Sequence, residues 1–319
     1  MRKKILYIRQ NYPGGTDNYC KALYNLLQDD SDLQPLPVAD IPAIGSRLFH
    51  YYYSPSALRK AIGLADIVHI NGYTAMGTIQ ALYEARRQQK CVVYTAHWHP
   101  FHCLRHPWLG RLFFSLLTKP AVRQCASVVT TINNDDTRFF SSLHPDVRQI
   151  PHWYQPAATK SPVERNPRMI LFVGRTDDPV KGLDHLYHLP QGTYDVHCVG
   201  RGHIARRDFH QHIDISDDEL ARLYRQAALL VVPSKYEAFS YVVLEALCHG
   251  TPVLMSERVR IADYLEGIHG YHVFNYGDID DFQRKIESTI GIKVDVDTVI
   301  HKFAPDRIRQ AYHDVYLQR

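Results

Sequence analysis

The sequence lacks any long hydrophobic run, because no window holds the roughly 18 uncharged apolar residues that a membrane-spanning helix requires. It also lacks paired cysteines of the CxxC type, and its six cysteines are scattered, which is typical of a reducing compartment. The apolar stretch within MRKKILYIRQ is too short for a signal peptide. We therefore expect a cytoplasmic protein that is located, at most, at the cytoplasmic face of a membrane.

Several binding motifs are missing as well. There is no phosphate-binding GxxxxGK[ST] loop. The net charge of +4 suits anionic substrates but is too weak to indicate nucleic-acid binding. Four histidines crowd the segment HWHPFHCLRH, namely His97, His99, His102 and His106. These side chains would point in different directions at the end of a strand, so we expect no metal there.

What the sequence does contain is an alternation of short apolar runs and helical stretches from end to end, in a chain of 319 residues. Such alternation predicts parallel α/β sheets, and the length favours two domains. The predicted strands are 4–9, 66–71, 91–96, 127–132, 168–174, 194–200, 228–234 and 251–256. We expect two Rossmann-like domains that face each other across a cleft, where ligands bind at the carboxyl ends of the strands.

The domain boundary is expected in the segment 150–167, which holds four prolines and no clear period. The N-terminal domain should span 1–152 and the C-terminal domain 153–303. The segment 304–319 has the pattern of an amphipathic helix. We expect this helix to pack back onto the N-terminal domain.

Two carboxylates bracket an apolar run in KYEAFSYVVLEALCHGTPVL, residues 235–254. Ser240 is placed to cap a helix that begins beside it, so Glu237 lies on the preceding loop and Glu245 in the second turn. The first amides of such a helix attract phosphate or polarised hydroxyls. A purely structural alternative stays open, in which Glu245 pairs with a neighbouring Arg or Lys and Glu237 is solvated.

Two turns carry groups suited to a phosphate. Arg175 and Lys181 follow a predicted strand, where fixed cations could stabilise a leaving diphosphate. The alternative is a solvated turn in which Asp177 and Asp178 neutralise both cations. Gly14 and Gly15 precede a predicted helix and would let backbone approach a ligand closely, although a plain turn is equally compatible with them.

These stretches resemble glycosyltransferase family 4, the retaining nucleotide-sugar transferases of GT-B fold. EAFSYVVLEALCHGTPVL is similar to the family's E-x7-E signature, and ISDDELARLYRQAALLVVPS is similar to its lead-in. LFVGRTDDPVKGLDHL, NYPGGTDNYCKALYNLL and VVYTAHWHP resemble its other motifs. The chain departs from the pattern at Ala238 and Ser240, where glycine is usual, and PHWYQP lacks the usual Asn-Gly-Val.

The resemblance implies the following site residues: His97, Arg175, Lys181 and Glu237 as catalytic; Gly15, Arg175, Lys181, Glu237, Phe239, Ser240, Tyr241 and Glu245 for the donor; Asp17 and His99 on the acceptor side. Within this set, Arg175 and Lys181 hold the diphosphate and Glu245 holds the ribose. Glu237 and His97 contact the sugar. A surface role for His99 stays open.

The expected function is hexosyl transfer from a nucleotide-diphosphate sugar to a glycan or lipid-linked acceptor, in cell-surface polysaccharide or glycolipid biosynthesis. Because Arg175 and Lys181 would supply the positive charge at the diphosphate, we expect no cofactor and no catalytic metal. The alternatives are a GT-B nucleotide-sugar 2-epimerase and an inactive sugar-nucleotide-binding partner subunit.

The segment 106–124 mixes aromatic, leucine and basic residues, as an interfacial helix does; a buried helix is the alternative.

Overall fold

The computed structural model of the protein describes residues 2–9, 15–38, 40–45, 51–72, 76–97, 107–156 and 163–318. Its strands are β1 (Lys3–Ile8), β2 (Leu33–Pro35), β3 (Ala43–Ile44), β4 (Tyr52–Tyr53), β5 (Ile67–Gly72), β6 (Cys91–Ala96), β7 (Val128–Thr131), β8 (Val147–Gln149), β9 (Asn166–Val173), β10 (Asp195–Val199), β11 (His210–His212), β12 (Ala227–Val232), β13 (Val253–Ser256) and β14 (Tyr271–Phe274).

The α-helices are α1 (Gly15–Leu27), α2 (Pro55–Gly63), α3 (Met76–Arg87), α4 (Pro107–Phe113), α5 (Lys119–Cys125), α6 (Asn134–Ser141), α7 (Asp217–Gln226), α8 (Tyr241–Cys248), α9 (Ile279–Thr289), α10 (Val296–Lys302) and α11 (Pro305–Leu317). A π-helical stretch, Phe114–Thr118, joins α4 to α5, and short 3-10 helices cover Leu183–His188 and Arg260–Tyr264. No helix among the described ranges is both long enough and apolar enough to cross a bilayer.

The chain divides into two compact units, the first formed by Met1–Pro151 with Pro305–Arg319 and the second by His152–Ala304. The first unit has a parallel sheet of order β2-β1-β5-β6-β7-β8, and β3 and β4 form a separate antiparallel pair. The second has a parallel sheet of order β11-β10-β9-β12-β13-β14. The prediction of an α/β protein with two Rossmann-like parallel-sheet domains is confirmed.

The second sheet has the strand order of a dinucleotide-binding Rossmann domain. Numbered within the unit, its order is 3-2-1-4-5-6, so the connections reverse direction between β9 and β12. Ligands of open α/β sheets bind outside the carboxyl ends of the strands at this reversal. The strand β12, AALLVV, is buried along its whole length, because helices cover both faces of a parallel sheet. The core therefore supports the two loops that follow β9 and β12.

The first sheet buries polar groups on one of its faces. Leu6, Val68, Tyr94 and others from alternate positions form the apolar core on the opposite face. Across from it, His69 on β5 bonds through Nδ1 to the hydroxyl of Tyr316, at 2.6 Å, and through Nε2 to that of Thr95, also at 2.6 Å. Tyr316 belongs to α11, so this helix supplies hydrogen-bond partners that buried polar groups require.

The helical segment 107–125 exposes apolar side chains. Phe114, Ala121 and Val122 join the core of the first unit. The outer side of the same segment carries five large apolar residues in solvent: Trp108, Leu109, Leu112, Leu116 and Leu117. The alternative of a buried helix therefore does not describe this outer side.

Candidate functional site

The loops after β9 and β12 bring a lysine and a glutamate together at the reversal point of the second sheet. Lys181 Nζ lies 2.8 Å from Glu237 Oε1, and the Ser234 hydroxyl donates to the same oxygen at 2.8 Å. The Glu237 side chain is only 13% exposed. A carboxylate with so little water requires partners, and here it has a cation and a hydroxyl on one oxygen.

Backbone contacts hold these two loops in register. Gly182 has φ +70°, and a Cβ atom at this position would lie 2.0 Å from the carbonyl oxygen of Pro233. The amide of Lys235 donates to the carbonyl of Val180 at 2.7 Å. Only glycine adopts such a backbone conformation without strain and leaves room for the neighbouring chain. The position of Lys181 relative to Glu237 is thus set by main-chain packing.

The backbone of Glu237 is fixed from its other side as well. Its amide donates to the carbonyl of Arg258 at 3.2 Å, and its carbonyl accepts from the amide of Arg260 at 2.9 Å. These two bonds form an isolated parallel bridge between Glu237 and Val259. Glu237 lies on a loop, but its backbone is held by two hydrogen bonds as in a β-strand.

Arg175 follows β9 but is not packed against the lysine–glutamate pair. Its guanidinium makes an ion pair with Asp178, and its side chain is 71% exposed. This part of the turn matches the solvated alternative for Arg175. Lys181 does not follow that alternative, because its partner is Glu237 and not an aspartate of the turn.

The start of α8 lies directly after this loop. Ser240 occupies the N-cap position, yet its side chain makes no capping bond, and its buried hydroxyl has no hydrogen-bond partner among the described residues. The Tyr241 ring stacks on His152 at 4.8 Å. Phe239 is buried, with its ring edge-on to His152 and Phe303. The Phe239 ring therefore packs within the second unit.

Glu245 lies in the second turn of α8, where its Oε2 accepts a 2.8 Å hydrogen bond from the hydroxyl of Tyr224. Burial raises the pKa of this carboxyl above its ordinary value, and the negative charge of Asp217 adds to the effect, while the Tyr224 bond opposes it. Among the described residues its partner is Tyr224, so the Arg or Lys pairing of the structural alternative is not observed. A buried acid with one hydroxyl partner retains capacity to accept further hydrogen bonds.

In the first unit, His97 follows β6 and bonds to the end of β5. Its Nε2 lies 2.8 Å from Asn71 Oδ1. Asn71 Nδ2 donates to the carbonyl of His69 at 3.2 Å, which identifies Oδ1 as the acceptor and assigns the proton of His97 to Nε2. Burial lowers the pKa of His97 to about 3. The imidazole is therefore neutral at physiological pH, with Nδ1 as its acceptor atom.

The remaining residues of the predicted set lie near the start of α1 or outside the described ranges. Gly15 is the first residue of α1. Asp17 is buried and pairs with Arg9 at 2.6 Å and with Lys21 at 2.7 Å. His99 lies outside the described residues, as do Gly14, His102 and His106.

Several residues that bond to the predicted set were missed from the sequence, among them Ser234, Tyr224 and Asn71. Ser234 and Asn71 stand where a strand ends, and that position is the signal that could have identified them. Tyr224 lies on a different helix from Glu245 and is 21 residues away in the chain. Its role depends on helix packing, and no local pattern reveals it.

Most of the second unit is similar in sequence to a known protein family. Residues 167–291 match the model of the family described as Glycosyl transferases group 1. An uncharacterized glycosyltransferase of Methanocaldococcus jannaschii is 32% identical over 111 residues, which cover 30% of this chain and 28% of that protein. The MMP alpha-(1->4)-mannosyltransferase of Mycolicibacterium hassiacum is 24% identical over 226 residues, covering 60% of this chain and 53% of the relative. The matches thus span about half or less of these relatives' own length.

Solved structures match over the whole chain. Sucrose-phosphate synthase from Thermosynechococcus elongatus superposes with a TM-score of 0.74 at 18% identity and covers 99% of both chains. Anabaena HepE, in complex with UDP and glucose, superposes with a TM-score of 0.71 at 14% identity and covers 100% of both. At such identities the likeness establishes the fold alone. The chain has the GT-B fold, and its residues 167–291 resemble the family described as Glycosyl transferases group 1.

Proposed function

We propose that the protein is a retaining glycosyltransferase that moves a hexosyl group from a nucleotide-diphosphate sugar to a glycan or lipid-linked acceptor. The observation that carries this proposal is the Lys181–Glu237 pair, 2.8 Å apart, at the reversal point of the second sheet. That pair lies inside the segment that matches Glycosyl transferases group 1. A fixed cation and a hydrogen-bonding carboxylate suit a diphosphate leaving group and a sugar, respectively.

Lys181 and Arg175 would stabilise the departing diphosphate. Negative charge grows on the leaving oxygen as the sugar–phosphate bond breaks, and a positioned cation is most valuable there. The exposed Arg175–Asp178 pair is the kind of surface ion pair that contributes little to stability. Arg175 could therefore exchange Asp178 for a phosphate at small cost, and its guanidinium would grip two oxygens.

Glu237 and Glu245 would hold hydroxyl groups of the donor. Glu237 uses Oε1 for Lys181 and Ser234, which leaves Oε2 to accept from a sugar hydroxyl. Glu245 sits one helical turn further along and has a raised pKa, so any donor to its carboxylate relieves an unfavourable buried charge. Ribose hydroxyls are such donors.

His97 of the first unit would act as a neutral hydrogen-bonding group toward the transferred sugar. Its lowered pKa and its bond to Asn71 favour one neutral tautomer. A neutral imidazole can hydrogen-bond a sugar hydroxyl without first losing a proton. Asn71 is in this view a positioning residue, since it acts through His97.

Retention of configuration is part of the proposal. The bond from the anomeric carbon to the diphosphate oxygen breaks while the acceptor oxygen bonds on the same face, and the acceptor's proton passes to a phosphate oxygen of the leaving group. Glu237 is a poor nucleophile because Lys181 and Ser234 already engage its carboxylate. NMR of the first product should show the donor's anomeric configuration, and inversion would contradict this step.

A panel of nucleotide sugars tests the activity itself. We expect at least one donor to raise the melting temperature and to release its nucleoside diphosphate when an acceptor is present. Glu237→Gln should abolish most of this release, while the exposed Lys293→Met on the same unit should not. Conversion of the donor to its 2-epimer would indicate an epimerase instead, and binding without any turnover would indicate an inactive sugar-nucleotide-binding subunit.

We further propose that the exposed apolar side of 107–125 contacts a membrane surface. Trp108 and Leu116 are exposed by 62% and 63%, and Arg111 and Arg123 are exposed on the same segment. Apolar groups flanked by cations are typical of helices that lie at a lipid interface. Leu116→Glu should weaken co-sedimentation with anionic vesicles. Leu64→Glu is a matched control, because Leu64 is 61% exposed elsewhere on the first unit, and equal loss in both variants would contradict the proposal.

A further inference from the structure

Three histidines and an aspartate share one face at the edge of the second sheet. The sequence places Asp195 and His197 on β10 as Asp-x-His, and His210 and His212 on β11 as His-x-His. Alternate residues of a strand point to the same face. The two strands are parallel, with His197 opposite His210. The edge of the sheet therefore presents four potential metal ligands side by side.

The distances within this cluster suit a small divalent cation. His210 Nε2 lies 3.0 Å from Asp195 Oδ1, and His197 Nε2 lies 3.3 Å from Asp195 Oδ2. One ligand atom from each of the three residues lies within 4.8 Å of the others. Tetrahedral Zn²⁺ with bonds of about 2.0–2.1 Å separates neighbouring ligand atoms by roughly 3.4 Å. Small rotamer adjustments would therefore bring the three onto one ion.

Outer contacts already orient two of the three ligands. His197 Nδ1 lies 2.9 Å from His212 Nε2. When His197 donates from Nδ1 to this nitrogen, its Nε2 is left as the ligand atom. Asn166 Nδ2 donates to Asp195 Oδ2 at 3.2 Å. Metal-binding histidines and carboxylates are commonly held by such outer hydrogen bonds.

We propose that Asp195, His197 and His210 bind a divalent transition-metal ion, Zn²⁺ first among them, with water completing the coordination. Imidazole with one carboxylate suits Zn²⁺, whereas Mg²⁺ and Ca²⁺ take oxygen ligands. A bound ion would hold β11 against β10. β11 is an edge strand that pairs with β10 over only three residues. The ion would not take part in sugar transfer, because Asp195 begins β10 and lies roughly 13 Å along the strand from the carboxyl end.

A bound ion would also restrain the connection between β10 and β11. Gly200, in this connection, packs so closely that a Cβ atom would lie 2.1 Å from the carbonyl oxygen of Gly174, the residue before Arg175. The amide of Thr176 donates to the carbonyl of Arg201 at 3.0 Å. Fixing β11 therefore restrains the far end of the loop that supports the Arg175 turn.

The test is titration of metal-free full-length protein with Zn²⁺ alone, followed by calorimetry and, with Co²⁺, by visible absorption. We expect one equivalent to bind and a tetrahedral Co²⁺ spectrum to appear. His210→Gln should weaken binding by about a hundredfold or more, beyond the 10–100-fold that loss of an outer partner costs. Its 59% exposed side chain can be replaced without disturbing the core. Asp195→Asn provides an independent second variant.

His203→Gln is the matched control, because His203 is exposed in the same connection and lies outside the cluster. At a Zn²⁺ concentration a hundredfold above the dissociation constant, wild type and His203→Gln should gain roughly 5–10 °C in melting temperature. His210→Gln should gain about a sixth of that shift or less. Absence of binding to the wild type, or equal binding by His210→Gln and His203→Gln, would overturn the proposal.

Discussion

Replacing Gly182 by alanine should separate the two loops that carry Lys181 and Glu237. The added methyl group would lie 2.0 Å from the carbonyl oxygen of Pro233, so one loop must move by about 1 Å or more to relieve the contact. Such a shift removes the 2.7 Å bond from Lys235 to Val180. It also draws Lys181 away from its carboxylate.

The cost has two parts that can be estimated separately. Holding a non-glycine residue at φ +70° costs roughly 1–2 kcal/mol. Losing the hydrogen bond and the close packing adds about 1–2 kcal/mol. Gly182→Ala should therefore lower the free energy of unfolding by about 2–4 kcal/mol. Gly192→Ala is the matched control, because Gly192 has φ +73° but no atom within 4 Å of an added Cβ, and it should cost only the first part.

Chemical denaturation of both variants measures the difference, which should be at least about 1 kcal/mol. Donor kinetics provide the second readout. A displacement of about 1 Å at catalytic groups can cost on the order of 10²-fold, so kcat/KM for the donor should fall steeply in Gly182→Ala and stay unchanged in Gly192→Ala. Equal destabilisation with equal kinetics would refute the view that this glycine positions the site.

Three other predictions follow from titratable groups and from the proposed cations. Glu245→Gln should raise the donor KM about ten- to a hundredfold with little change in kcat. Because the folded pKa of Glu245 is raised, its charge destabilises the fold as pH rises above about 4.3, so melting curves at pH 7 should show this variant no less stable than wild type. His69 and His97 both have a pKa lowered to about 3, so their stabilisation is complete above about pH 6.5 and is lost as pH falls toward 3. Denaturation at several pH values should show the free energy of unfolding falling as pH drops below about 6.5, with a shallower fall in His69→Gln. Excess EDTA should leave initial transfer rates unchanged, and activity that disappears and returns with Mg²⁺ or Mn²⁺ would contradict the role given to Lys181.

The long strands could be predicted from the sequence because both of their faces are buried. β6, CVVYTA, was predicted with its observed bounds, and β12 was displaced by one residue at its start. The short edge strands escaped prediction. β11 has the polar sequence HQH, and its strand conformation depends on pairing with β10, which no local pattern shows.

The candidate site could also be predicted only in part: its residues could be identified from the sequence, but not the contacts between them. Lys181 and Glu237 lie on the loops that follow β9 and β12, and parallel topology brings such loops to one edge of the sheet, so these residues could be predicted from the sequence. Their 2.8 Å contact and the shared partner Ser234 depend on the fit of Gly182 against Pro233, which is a property of the packed chain. The metal-ligand pattern of β10 and β11 was likewise hidden, because its two halves become neighbours only in the sheet.

Release of nucleoside diphosphate by wild type and by Lys181→Met tests the central claim most directly. The two proteins should be compared with the nucleotide sugar that the wild type accepts, at saturating donor and after matched melting curves. The account predicts turnover by the wild type and a kcat lower by about 10²–10³-fold in the variant. Undiminished turnover in a folded Lys181→Met protein, or no turnover of any nucleotide sugar by the wild type, would contradict it.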